Sequence, residues 1–393
     1  MDRGMTRSPA NALLPNGLQD VLPPHASREA AAVEGLLARF TRHGYERVKP
    51  PLVEFETALL TGAGAAVAGQ TFRVMDPESQ KMLGLRADVT PQVARIAASR
   101  LAHAPRPLRL CYAGDVLRTG GTQLRPERQL TQVGAELVGS DSEAADAEAV
   151  LVAVDALSAV GVTALSVDLT LPPLVGMLAE TLGLDDEASA RLRHALDRKD
   201  AAAVRALAGE HAGVFEGLLR AVGPAETALP RLEALALPDA IRGEVARLSR
   251  VVARVREAAP DLTVTVDAVE HRGFEYHTGV AFTVYARGVR GEVACGGRYS
   301  ADARVGEPEA ATGFTIYMET VMRAVTTPEA PPRVYVPAET PHADGEALRA
   351  AGWITVAGLA PEADAAAEAR RLGCTHIARD GAAAPLAPGG EDA

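Results

Sequence analysis

Polar and charged side chains interrupt the short apolar runs of this chain at recurring points: Arg86, Asp88 and Thr90, then Arg118, then Gln132 and Glu136, then Arg272, Glu275, Tyr276 and His277. An isolated buried charge is expensive, so a fold carrying such residues on its strands must pair them in the core or line a cavity with them. In Gln132-Val133-Gly134-Ala135-Glu136 the two polar residues share one face if the segment is extended. With Arg272 they would offer a cation to a carboxylate, and amides or anions to an amine or a ring nitrogen. The residues by themselves leave two readings open, a satisfied structural network and a site for a small zwitterion.

The surrounding pattern mixes two periods. Val33, Leu36, Leu37 and Phe40 recur at helical spacing between Ser27 and Gly44, and a strand is expected over Tyr45 to Val53. Further strands are expected at Leu83 to Leu85, Leu108 to Val116, Leu165 to Leu169, Leu262 to Val266, Val280 to Val284 and Glu292 to Cys295. Helices are expected over Asp146 to Ala159, stopped by Gly161, and from about Gly313 to Val325. Residues 172–260 are Ala- and Leu-rich with helical spacing, broken at Gly183, Gly223-Pro224 and Pro238, which predicts an all-α insertion. Strands in hairpins beside helices predict an α+β domain over 14–325. After a Thr- and Pro-containing linker, residues 333–380 hold three short strand signals separated by two helical ones, a small C-terminal α/β unit, and 381–393 read as a disordered tail.

At 393 residues the chain exceeds one small core, and its 47% hydrophobic and 23% charged residues are ordinary globular values. No apolar run approaches the roughly 18 residues of a membrane span, and the first dozen residues lack the apolar centre of a secretory signal, so a cytoplasmic protein is expected. Cys111, Cys295 and Cys374 are odd in number and widely separated, which argues for reduced thiols over a disulfide framework or a zinc site. A formal net charge of −11 provides no footprint for a nucleic acid. Gly62-Ala63-Gly64 lacks the third glycine of a dinucleotide fingerprint, and Gly120-Gly121 lacks the Lys-Ser/Thr of a phosphate loop; no metal-ligand spacing and no activated-serine elbow occur, so neither a cofactor nor a metal is expected.

Five segments, in order, resemble one family, the histidyl-tRNA synthetases and their paralogues, the regulatory subunits of ATP phosphoribosyltransferase. Leu14-Pro15-x-Gly17-x-x-Asp20-x-Leu22-Pro23 is similar to the opening of that catalytic domain, and Leu85-Arg86-Ala87-Asp88-Val89-Thr90 to its R-P-E-x-T segment. Arg118 through Glu136 resembles motif 2, Arg272 through Gly279 the histidine signature R-G-L-D-Y-Y-T-G, and Gly296-Gly297-Arg298-Tyr299 its G-G-R-Y. The resemblance implies a class II aminoacyl-tRNA synthetase-like fold, an antiparallel sheet flanked by helices. It implies that Asp88 and Thr90 hold an amino group, that Gln132 and Glu136 face the amino and imidazole side, that Arg272 takes the carboxylate, and that Tyr276 and Tyr299 close the pocket. Arg118 matches the motif 2 arginine, which in the synthetases supports the carboxylate and the reacting phosphate. His277 stands where the family uses a tyrosine against the imidazole, and its donor and acceptor pattern depends on tautomer and pH.

The departures gather on the nucleotide side. Gly120 replaces a glutamate that reads adenine, Leu130 a phenylalanine that stacks on it, and Pro126 an arginine on the phosphates, with Arg125 beside it. Motif 3 should end in a phosphate-binding arginine, whereas Gly313-Phe314-Thr315-Ile316-Tyr317-Met318-Glu319 is followed by Thr320. A threonine places no fixed positive charge on a triphosphate. Only about 60 residues follow the linker, too few for the anticodon-gripping domain of a synthetase. The resemblance therefore implies a non-catalytic regulatory subunit. It would dimerise, bind the short-form catalytic subunit of ATP phosphoribosyltransferase, which performs the first step of histidine biosynthesis, and relay inhibition by L-histidine. A divergent histidyl-tRNA synthetase and an amino-acid-sensing module with another partner are the alternatives.

Overall fold

The computed structural model describes residues 13–121, 126–271, 276–302, 307–325 and 331–387. The chain divides into two units, Met1–Thr326 and Thr327–Ala393. The strands of the first are, in chain order, β1 (Glu46–Arg47), β2 (Val53–Phe55), β3 (Arg73–Met75), β4 (Met82–Leu85), β5 (Leu108–Leu117), β6 (Gln129–Val138), β7 (Leu165–Thr170), β8 (Gly223–Pro224), β9 (Thr263–Val266), β10 (His277–Ala286), β11 (Ala294–Ala301) and β12 (Glu309–Tyr317). Nine of them form one sheet in the order β1-β5-β6-β12-β11-β10-β7-β9-β8, while β2, β4 and β3 form a separate antiparallel ribbon. All neighbours in the large sheet are antiparallel except β1 with β5 and β7 with β9.

Strand alternation sorts side chains between two cores. On one face Cys111, Val133, Ala135, Phe314 and Ile316 pack against the helices His25–Arg42, Glu143–Ala159 and Asp239–Ala258, through Leu36, Phe40, Val150, Leu157 and Leu248. On the other, Leu110, Tyr112, Val116, Leu130, Val138 and Tyr299 meet Val93, Ala94 and Ala97 of the helix Thr90–Ser99. The same face carries the buried polar residues Gln132 and Glu136.

Several boundaries differ from the sequence reading. The strand expected over Tyr45 to Val53 is cut to β1 and β2, because Pro50 and Pro51 have no N–H to give a ladder. The helix expected from Gly313 begins only at Met318: Gly313–Tyr317 completes β12, where the run Phe314-Thr315-Ile316-Tyr317 suits a pleated surface, and its period was masked by the helix Met318–Ala324 that follows. The strand seen as Glu292 to Cys295 runs as β11 to Ala301, carrying Arg298 and Tyr299. The insertion is helical apart from β8, a two-residue strand on β9.

The second unit has strands β13 (Arg333–Val336), β14 (Ile354–Ala357), β15 (His376–Arg379) and β16 (Ala382–Pro385) in the order β14-β13-β15-β16, with helices His342–Ala350 and Ala365–Arg371. The first three are parallel, as βαβ crossovers require. The stretch expected to be a disordered tail from residue 381 instead supplies β16, which turns back antiparallel on β15 across Asp380 and Gly381, both at positive φ. Residues 388–393 and the linker segment 326–330 lie outside the described residues.

Candidate functional site

The face of the large sheet that packs on the helix Thr90–Ser99 gathers most of the polar residues singled out in the sequence. Glu136 points from β6 into the protein with 1% of its surface exposed. Its Oε1 accepts a hydrogen bond from Thr90 Oγ1 (2.9 Å) and a long one from the Tyr112 hydroxyl (3.5 Å), and its Oε2 accepts from the Tyr299 hydroxyl (3.0 Å). All three partners are hydroxyls, so hydrogen bonds rather than a counter-charge hold the carboxyl. Burial pushes it up to about 8, and the Thr90 and Tyr299 hydroxyls restrain the rise.

Four residues away on the same face, Gln132 is fully buried. Its Oε1 accepts from the Val89 amide (3.0 Å), and its Nε2 donates to Asp88 Oδ2 (3.2 Å). The other oxygen of Asp88 accepts from the Thr90 amide (2.9 Å), so one carboxylate fixes both the start of the helix and the orientation of the Gln132 amide. Tyr299 meets the edge of Tyr276 at 6.0 Å between ring centroids, and Tyr276 stacks on His277 at 4.2 Å. His277 is opposite Tyr299 in the β10–β11 ladder and is 8% exposed. Desolvation raises the phenols of Tyr112, Tyr276 and Tyr299 well above their ordinary range, so all three stay neutral, and those of Tyr112 and Tyr299 donate to Glu136.

The structure thus brings together Asp88, Thr90, Gln132, Glu136, Tyr276, His277 and Tyr299. Arg118 lies beside this group: it follows β5, is half-buried, and its Nε donates to the Ala87 carbonyl (3.3 Å). Arg272 and Glu275 lie outside the described residues. Sequence reasoning missed Tyr112 and Thr315, whose hydroxyls bond each other at 2.9 Å beneath Glu136. Tyr112 was legible as a strand residue in phase with Leu110 and Val116, and a buried phenol needs a polar partner. Thr315 was hidden by the helical reading of its strand.

Arg298, next to Tyr299 but on the opposite face, serves the frame instead. It is 4% exposed and bonds Asp146 Oδ1 (2.7 Å), Asp141 Oδ1 (2.9 Å) and the carbonyls of Ser140 and Ser142, tying β11 to the start of the helix Glu143–Ala159. Arg247 reaches the same Asp146 at 3.1 Å.

The positions that depart from the synthetase pattern carry no charge for a phosphate. Thr320 is fully buried and its hydroxyl accepts from Arg323 Nη2 (3.2 Å). Leu130 is sealed in the core beneath the helix Thr90–Ser99, and Gly120 is exposed. Beside Thr320, Glu319 accepts from the Thr131 amide (2.7 Å), and burial raises its carboxyl, with Glu29 and Glu127 adding to the rise. Among the described residues no cluster of His, Cys, Asp and Glu is arranged to hold a metal, and no helix is long and apolar enough to cross a membrane.

A nine-stranded, mostly antiparallel sheet with a buried, hydroxyl-bonded carboxyl on one face defines the class: a class II synthetase-like domain. The family model described as histidyl-tRNA synthetase matches residues 17–321. An ATP phosphoribosyltransferase regulatory subunit from Paramagnetospirillum magneticum is 54% identical over 95% of this chain and 97% of its own length. A crystal structure described as an ATP phosphoribosyltransferase regulatory subunit/histidyl-tRNA synthetase from Bacillus halodurans shares the fold, with a TM-score of 0.80 at 23% identity over 93% of this chain and 97% of that one. The ATP phosphoribosyl transferase (HisG:HisZ) complex from Thermotoga maritima contains a chain of the same fold, with a TM-score of 0.58 at 19% identity over 74% of this chain and 97% of that one. The chain belongs to the ATP phosphoribosyltransferase regulatory subunits, the paralogous branch of the histidyl-tRNA synthetase family.

Proposed function

We propose that this chain is a non-catalytic cytoplasmic subunit that takes L-histidine in the Glu136 pocket, pairs with itself, and regulates a short-form ATP phosphoribosyltransferase catalytic subunit at the first step of histidine biosynthesis. The observation that carries this reading is a contrast between two sets of positions. Asp88, Gln132 and Glu136 are ordered by Thr90, Tyr112 and Tyr299, while the positions that face the nucleotide in the family pattern hold the uncharged Gly120, Leu130 and Thr320. Asp88 and Glu136 suit an ammonium or a protonated ring nitrogen. Arg272, by the family pattern, takes the carboxylate.

Loss of fixed cations at developing charge lowers the rate of such a reaction by orders of magnitude, so amino-acid binding without ATP use is the expected outcome. Regulation then requires histidine to bind differently to the active and inhibited assemblies, since a ligand with equal affinity for both shifts nothing. The partner has support in the naming of relatives as regulatory subunits over nearly the whole chain.

Two measurements on the purified chain test the assignment. Calorimetry should show histidine binding that Glu136→Ala abolishes, with the circular dichroism spectrum unchanged. Histidine-dependent ATP–pyrophosphate exchange should be absent; exchange at a synthetase-like rate would make the chain a divergent ligase, and unchanged affinity in Glu136→Ala would make the cluster purely structural.

A further inference from the structure

A second polar site lies away from the Glu136 pocket. The turn joining β10 to β11 runs Arg287-Gly288-Val289-Arg290-Gly291, tightened by a bond from the Val289 amide to the Ala286 carbonyl (3.2 Å) and by positive φ at Gly288 and Gly291. Arg323, in the last turn of the helix Met318–Ala324, approaches the same place. Between turn and helix is a cavity of about 290 Å³ lined by Gly288, Val289, Arg290 and Arg323. Two arginines from separate elements therefore line one concave space in a chain whose formal net charge is −11.

Several arginines of this protein, among them Arg39, Arg73, Arg95, Arg106, Arg109 and Arg250, each reach a carboxylate. Among the described residues Arg287 and Arg290 reach none, and Arg323 donates only to the neutral hydroxyl of Thr320. Like charges held together without a counter-ion repel unless an anion joins them, and a concave wall focuses their field. Guanidinium groups bind phosphate oxygens in pairs of parallel hydrogen bonds, which a carboxylate-free cleft leaves available. The volume of about 290 Å³ sits at the small end for ligand sites, a size that suits a phosphate or diphosphate group.

We propose that the Arg290–Arg323 cleft is an anion site for the diphosphate group of a ligand, either free pyrophosphate or the phosphate tail of a nucleotide whose base stays outside. This site is separate from the histidine pocket and goes beyond the regulatory reading. Isothermal titration of the full chain with inorganic pyrophosphate and, separately, with ATP, at low ionic strength, tests it. Pyrophosphate should bind, and both Arg290→Ala and Arg323→Ala should weaken it tenfold or more. ATP binding as tightly as pyrophosphate identifies a phosphate tail as sufficient, and pyrophosphate binding alone identifies the free ion; both support the site. No heat with either probe, affinity unchanged in both variants, or equal affinity for sulfate would overturn it. Histidine affinity, measured on the same Arg290→Ala protein, should be unchanged, so failure here stays distinct from failure of the histidine pocket. Arg290 is exposed and unpaired with any described residue, so its removal leaves the fold intact.

Discussion

Gly313 and Glu136 are direct partners in the β6–β12 ladder, and a Cβ built on Gly313 would overlap Glu136 Oε2. The buried carboxyl thus occupies the space that any larger residue at 313 would need. Gly313→Ala is expected to push Glu136 off its Thr90 and Tyr299 hydroxyls, to destabilise the fold by about 1–3 kcal/mol as an overpacked core does, and to abolish histidine binding. Denaturant unfolding and calorimetry on one protein sample read both effects; a variant that binds histidine normally would show that the carboxyl has room to move.

The raised Glu136 carboxyl sets a pH dependence for binding. Near neutrality in the free protein it is largely protonated, because burial holds it at about 8. A cationic ligand group favours the ionised form, so binding must release a proton at pH below about 8 and affinity should rise from pH 6.5 to pH 8. Calorimetry in buffers of different ionisation enthalpy counts that proton. Glu136→Gln should lose both the release and most of the affinity, and a proton count of zero in the unaltered protein would rule this linkage out.

Asp146 joins Arg298 and Arg247 with only 3% of its surface exposed. Asp146→Ala leaves the guanidinium of Arg298 buried with Asp141, itself largely exposed, as its remaining counter-charge. A loss of about 3–5 kcal/mol is expected, as for other broken buried pairs. Replacing Asp146 and Arg298 together by Leu and Met should recover much of it. Urea midpoints for the three proteins decide, and a single variant as stable as the parent would mean that Arg298 finds water or another acceptor.

Glu270 offers a separate test of charge burial. Desolvation, reinforced by Asp168 and Asp267, pushes it up to about 7, above its ordinary 4.5. The folded state then binds this proton more tightly than the unfolded state. Its contribution to stability is fully present below pH 4.5 and is lost as the pH rises through about 7. Glu270→Gln should accordingly raise Tm by about 1–3 °C at pH 8 and change it little at pH 5. A Tm difference independent of pH would contradict the assignment.

The fold was legible where one period dominated. Leu165 to Leu169 and Val280 to Val284 alternate without interruption, and both are strands; Val33, Leu36, Leu37 and Phe40 trace the buried stripe of the helix His25–Arg42. Legibility failed where two elements abut without a breaker. Gly313–Tyr317 passes into the helix Met318–Ala324 with no turn residue between them, so the strand inherited the helix's period. It failed again at Ala382–Pro385, whose small residues signal disorder by composition yet supply the backbone groups that β15 needs. For the pocket, Gln132 and Glu136 announced themselves as polar residues on an apolar strand. Tyr112 and Gly313 did not, because a phenol within an apolar run and a glycine within a strand gain their meaning only from the neighbour across the ladder.

In the proposed function this chain senses histidine on behalf of another protein. The most direct test is phosphoribosyl transfer by the short catalytic subunit from the same organism, assayed alone, with this chain, and with this chain plus histidine. Adding the chain should raise the rate several-fold, histidine should then suppress it, and Glu136→Ala should preserve the stimulation while removing the suppression. A rate that is the same with and without the chain would contradict it.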